Sequence, residues 1–247
     1  FAQNAPTFYY VRPGMNLAEL SWSPGTATEW TVKYATTTGD PTNEQYGTSI
    51  TVNEANTTLT GLDPFTTYFV YVGARDGNGD LSWSNAYTFK TLATSFAITD
   101  DTPYFENFDN TQVFDWVFLS RQTNPLNSTN DTYASYNNHW VYGSGTYNSN
   151  YRSLYISYLN NTVYKQDAYY LGYDYAVKMV TLEGGKNYEV SYDWKNYPCL
   201  PNQNFQNPDY MDYFRVMLVP SSIHLDPYVN RKPSDLKCNS LPDGWIA

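Results

Sequence analysis

Histidine and cysteine are almost missing from this chain, with two of each in 247 residues. His139 and His224 lie far apart, and no Gly-x-Ser-x-Gly nucleophile elbow accompanies them; Gly143-Ser144-Gly145 touches that pattern only superficially. Ser and Asp are plentiful enough for a Ser–His–Asp triad on paper, but plain loop positions are the simpler reading of both histidines. Cys199 and Cys238 lack the Cys-x-x-Cys spacing of zinc and redox sites. In an oxidising compartment they would close a loop of about 40 residues, contributing roughly 3–4 kcal/mol; otherwise they are two free thiols. Basic residues are also few: 14 Lys and Arg face 24 Asp and Glu, for a net charge of −10. No basic stripe is left to neutralise phosphates, which argues against nucleic acid and against anionic membrane surfaces as partners. No apolar run approaches the ~20 residues of a spanning helix, so no membrane insertion is expected. Phe1-Ala2-Gln3-Asn4 carries no charged leader, so export would require a targeting segment outside this sequence.

Aromatic residues, by contrast, are abundant. They make up 18% of the chain, with 26 tyrosines, while charged residues are only 15%. A Tyr-, Asn- and Thr-rich, Lys-poor composition suits strands, turns and a secreted, extracellular or outer-cell-surface setting.

Residues 6–93 alternate short apolar strands with turns. Ala18, Leu20 and Trp22 alternate with Glu19 and Ser21; Trp30, Val32 and Tyr34 alternate with Thr31 and Lys33. Such period-2 patterns predict strands with one buried face. Val70, Val72 and Ala74 continue the pattern on a strand that opens at Tyr68, and Arg75-Asp-Gly-Asn-Gly-Asp80 is a run of turn formers. Leu59-Thr-Gly-Leu62-Asp-Pro64-Phe-Thr-Thr-Tyr68 reads as a strand, a corner and a new strand whose tyrosine can reach back across the corner. Seven short strands in about 90 residues predict a β-sandwich. With Trp22 in the second strand, the Leu62–Pro64–Tyr68 corner and a last strand over 84–91, residues 1–93 resemble a fibronectin type III domain, an immunoglobulin-like sandwich.

Residues 94–103 are a short, partly apolar connection, too brief for a floppy linker, so the flanking parts are expected to touch. From Tyr104 the pattern changes. Strands are predicted at 104–109, 115–119, 153–157, within 169–182, at 188–194 and at 213–219, and residues 121–150 read as long loops. Phe105-Glu-Asn-Phe-Asp109, the Val180–Trp194 pair of strands with its Gly184-Gly-Lys-Asn187 turn, and Asp212-Tyr-Phe-Arg-Val-Met-Leu218 resemble the cleaved-adhesin or choice-of-anchor jelly roll, distantly MAM-like, of bacterial secreted and surface proteins. The whole chain is thus expected to be all-β, a type III sandwich followed at 104–247 by a jelly roll. Only five or six of about eight strands are counted there, so this second domain is expected to be incomplete at its C-terminal side.

No obvious chemistry emerges. The acid pairs Asp100-Asp101 and Asp209/Asp212 would need to face one another across a substrate to act as a glycosidase; solvated turn acids are the simpler reading. Asn-x-Ser/Thr sequons at Asn56, Asn127, Asn130 and Asn160 would matter only in a glycosylating secretory pathway. Loop aromatics are the main binding candidates: Tyr136, Trp140, Tyr142, Tyr147 and Tyr151, with Tyr133 nearby. Exposed rings stack on sugars and make protein hot spots. The jelly-roll resemblance also implies a structural Ca²⁺ near the first strand, with Glu106 as the first candidate ligand and Asp212 as a second candidate. The expected role is a non-enzymatic binding and adhesion module for glycan or protein on a host or neighbouring cell surface. The alternative is a substrate-targeting accessory region of a larger secreted protease or glycoside hydrolase.

Overall fold

The computed structural model describes residues 4–109, 115–119, 139–145, 152–157, 174–194, 214–225 and 245–246. Among them there is no helix; every ordered element is a strand. The first eight are β1 (Phe8–Pro13), β2 (Leu17–Trp22), β3 (Trp30–Ala35), β4 (Thr48–Val52), β5 (Asn56–Thr60), β6 (Thr67–Arg75), β7 (Leu81–Trp83) and β8 (Tyr87–Lys90).

They form two antiparallel sheets, β1-β2-β5 and β4-β3-β6 followed by β7 and β8, which both pair with β6. Because β7 and β8 pair with successive parts of β6, they act as one edge strand interrupted at 84–86. That leaves the expected seven positions, three facing four. Inward residues predicted from period 2 fill the gap: Ala18, Leu20, Trp22, Val32, Val70, Val72 and Ala74 are each at most 2% exposed, and Leu59 joins them. Trp22 meets Trp30 edge-on, with ring centroids 6.3 Å apart.

One buried face holds in β1 and β2 and fails in the two central strands of the larger sheet. In β3 and β6, Thr31, Lys33 and Tyr71 are buried too. Tyr46 packs edge-on against Tyr71, whose hydroxyl donates to Gly39 O at 2.8 Å. Lys33 donates from Nζ to Asn43 O at 2.6 Å, and its ammonium lies 5.7 Å from the Trp83 ring centroid. The loop before β4 thus roofs the outer face of the sheet, an arrangement that strand periodicity does not encode.

The corner forms as read. Asp63 N donates to the Tyr68 hydroxyl at 2.9 Å. Thr91, fully buried, accepts from Thr66 N at 2.9 Å and donates to Asp63 O at 2.7 Å. Tyr68 also stacks on Phe89 at 5.7 Å. Removing the hydroxyl leaves the Asp63 N–H without its partner. Tyr68→Phe is therefore expected to cost about 1–2 kcal/mol, read as a lower urea midpoint at unchanged slope. An unchanged midpoint would show that water replaces the hydroxyl at no cost.

The chain then continues through β9 (Phe96–Ile98), β10 (Val117–Leu119), β11 (His139–Gly143), β12 (Ser153–Ser157), β13 (Tyr175–Val177) and β14 (Val180–Leu182). The pairs β10–β13 and β11–β12 are antiparallel, while β9–β14 is parallel. Leu92, Val117 and Leu119 form a second apolar cluster, covered by Phe65, Tyr175, Val177, Met179 and Leu225. Phe65 comes from the sandwich corner, held at φ 53° with Lys90 Nζ 3.2 Å from its ring centroid. The expected contact across the connection is therefore an apolar one, reinforced where Ser95 Oγ meets Thr181 Oγ1 at 2.7 Å.

Several strand expectations need correction. Residues 104–109 and 188–194 form no strand, and of the strand expected at 213–219 the described residues 214–219 contribute only the single bridge Leu218–Ile246. Conversely, residues 139–143, read as loop, are the strand β11. Alternation records which residues could share a face; a ladder also needs a partner strand in hydrogen-bonding reach, and that is a tertiary matter. Val190, Tyr192 and Trp194 keep their alternation but are 52–66% exposed.

Candidate binding surface

Strand β11 is the scaffold of the site. Trp140 and Tyr142 sit on it, half-buried, rather than in a loop. The Trp140 indole donates from Nε1 to Asp174 O at 2.8 Å, which fixes the ring. Its face meets Phe214 edge-on at 6.0 Å, and Phe214 in turn meets Tyr192 at 5.6 Å. Tyr192, Trp194 and Phe214 are each more than half exposed. An aromatic surface therefore runs outward from a fixed indole to exposed rings. Tyr142 points into a different group, against Phe108 at 6.4 Å and under Arg152 at 5.2 Å. Of the sequence-predicted aromatics, Trp140 alone among the described residues joins the exposed cluster. Tyr136, Tyr147, Tyr151 and Asp212 lie outside the described residues, as do Tyr133, Cys199 and Cys238.

Tyr192, Trp194 and Phe214 were missed as candidates because their alternation read as strand core. Their signal was available in one respect: alternating rings are the pattern of a strand face, and such a face is equally a surface when nothing covers it.

Behind Trp140 lies Asp174. Its Oδ1 is buried with no hydrogen-bond partner, and burial pushes the carboxyl up to about 8. Near neutral pH it is mainly protonated, able to donate as well as accept. On the other side of the hairpin, Gly145 N donates to the Tyr155 hydroxyl at 3.2 Å. A Cβ on Gly145 would stand 2.7 Å from that hydroxyl and 2.8 Å from the ring carbon bearing it. The Gly143-Ser144-Gly145 run therefore makes room for a buried tyrosine.

Glu106 is already engaged: Oε1 accepts from Phe108 N at 2.7 Å and Oε2 from the Tyr104 hydroxyl at 3.3 Å. Among the described residues, no three His, Cys, Asp or Glu side chains gather as a metal centre. His224 is placed at the junction with the sandwich, its Nδ1 2.9 Å from Glu19 Oε1. It lines a cavity of about 230 Å³ with Met15, Leu17, Leu92, Met179 and Val180. That volume falls below the several hundred Å³ of ordinary ligand pockets, so the exposed aromatic surface is the stronger candidate. Among the described residues no helix is long and apolar enough to cross a membrane.

Comparison with known proteins bears on the first part of the chain. Residues 15–91 match the family described as Purple acid Phosphatase, N-terminal domain. No curated protein matches the chain. The FN5 domain of Drosophila Lar is 21% identical over 36% of this chain and 97% of its own, with a TM-score of 0.29. The fn3 domain of human contactin 1 is 22% identical over 38% and 82%, with a TM-score of 0.33. The type III fold itself rests on the three-facing-four strand order and the tyrosine corner.

Proposed function

We propose that this chain is a non-catalytic extracellular binding and adhesion module, taking glycan or protein on a host or neighbouring cell surface. In this reading residues 1–93 space and orient, 94–103 connect, and 104–247 form a jelly-roll domain that binds. The observation that carries it is the aromatic surface of Trp140, Phe214 and Tyr192, anchored at one end and exposed at the other. Exposed rings on a fixed base offer contact area at small entropic cost, which suits sugar faces and protein hot spots alike. A structural Ca²⁺ at Glu106 and Asp212 belongs to the same proposal; at Glu106 it would share oxygens that already accept hydrogen bonds.

The test is a glycan array probed with the 247-residue chain, with and without Ca²⁺, beside Tyr192→Ala and Phe214→Ala. Binding to a defined sugar that falls roughly tenfold or more in either variant supports the surface. No glycan bound at all sinks the carbohydrate arm and leaves a protein partner.

A second reading is favoured by the match at residues 15–91, since the matched family is by name the N-terminal domain of an enzyme. The chain would then be an accessory region of a larger secreted protease or glycoside hydrolase. A catalytic domain encoded in the same reading frame would decide for it; neighbouring β modules alone would decide for adhesion.

A further inference from the structure

Lys178 follows β13 directly, and its side chain is only 7% exposed. Its Nζ lies 4.7 Å from the Tyr104 ring centroid and 5.8 Å from that of Phe96. The Tyr104 ring is itself clamped: its hydroxyl accepts from Trp116 Nε1 at 3.0 Å and donates to Glu106 Oε2 at 3.3 Å. Within this aromatic box the Lys178 ammonium meets Asp115 Oδ2 in direct contact. The antiparallel register Val117–Val177 places both residues just beyond the same end of the β10–β13 ladder. Two chain segments far apart in sequence are thus held with a buried amine against a carboxyl whose side chain is 34% exposed.

The direct contact holds the lysine nitrogen against the carboxyl group it would attack, with the two aromatic rings beside it. We propose that Lys178 and Asp115 condense into an intramolecular isopeptide bond. The Nζ lone pair attacks Asp115 Cγ, and a Cγ–O bond breaks. Two of the three ammonium protons leave with that oxygen as water, and the third stays on the amide nitrogen. The reaction changes no oxidation state and needs no co-reactant. The Tyr104 and Phe96 rings limit the access of water for the reverse hydrolysis. The product is a covalent cross-link between the segments that flank the apolar junction cluster.

The test is the intact mass of the full 247-residue chain, reduced and denatured, followed by a tryptic map. The expected mass is that of the sequence less one water. The map should show a branched peptide joining the Asp115 and Lys178 segments, with no cleavage after Lys178. Asp115→Ala and Lys178→Arg should each restore the full mass; if either fails to fold, the map of the unaltered chain decides alone. A full sequence mass with ordinary cleavage after Lys178 overturns the proposal. A lost water that maps to a cyclic imide at Asp76-Gly77, with no branched peptide, overturns it equally.

Discussion

Trp22→Ala is expected to cost about 3–5 kcal/mol of folding stability, the usual toll for truncating a fully buried large aromatic side chain. Trp22 is 1% exposed and lies edge-on to Trp30 between the two sheets. Its neighbours Leu20, Val32 and Val70 come from both sheets and cannot collapse into the space without moving strands. A domain commonly holds only 5–15 kcal/mol in total, so the variant should unfold at much lower urea. Trp22→Phe should be far milder, because the indole Nε1 has no hydrogen-bond partner to lose. Thr48→Ala, on an exposed edge position, serves as the neutral control. Urea unfolding followed by circular dichroism separates the three. A Trp22→Ala loss under about 1 kcal/mol would mean that the sandwich does not pack around this residue as described.

The second large effect is a pH dependence at Asp174. Its carboxyl is pushed up to about 8 by burial, from an ordinary value near 4. Between those values the folded chain holds the proton and the unfolded chain releases it. Stability therefore falls as pH rises through that window, by up to about 1.4 kcal/mol per pH unit. Asp174→Asn has no proton to lose. The variant should match the parent near pH 4 and exceed it by a few kcal/mol by pH 8. Melting temperatures across that range provide the readout, and parallel profiles for the two proteins would dismiss a buried, protonated Asp174. Since Trp140 donates to the Asp174 carbonyl, the same substitution also asks whether the anchor of the aromatic surface survives. Unchanged Trp140 fluorescence would place that anchoring in the backbone alone.

Much of the first part of this protein was legible in its residues. The corner from Leu59 to Tyr68 is local in sequence, so the turn formers and the tyrosine that bridges them could be read together, and the hydrogen bond from Asp63 N is where the pattern puts it. The alternation of Ala18, Leu20 and Trp22 likewise fixes which side chains face inward once a sheet forms, because side chains on a strand alternate by geometry. What alternation cannot carry is the partner. Tyr188 to Trp194 has as clean a period as β2, yet it forms no strand, while His139–Gly143 hides a strand in a polar, Asn-rich setting.

The functional features belong to that second kind. Trp140 and Phe214 meet only because β11 and the 214–225 segment arrive at one place. Lys178 and Asp115 touch only because β10 and β13 pair in one register. Asp174 looks like any surface acid in the sequence; its raised pKa comes from the neighbours that displace water from it. Composition and period by themselves determined an all-β chain, a seven-position sandwich and its tyrosine corner, since those follow from local backbone geometry and the burial of alternate side chains. The tertiary structure alone decided which rings stay exposed, which acid is buried and which lysine meets which aspartate. Those outcomes depend on contacts between distant segments, and a contact between distant segments leaves no periodic trace in either one.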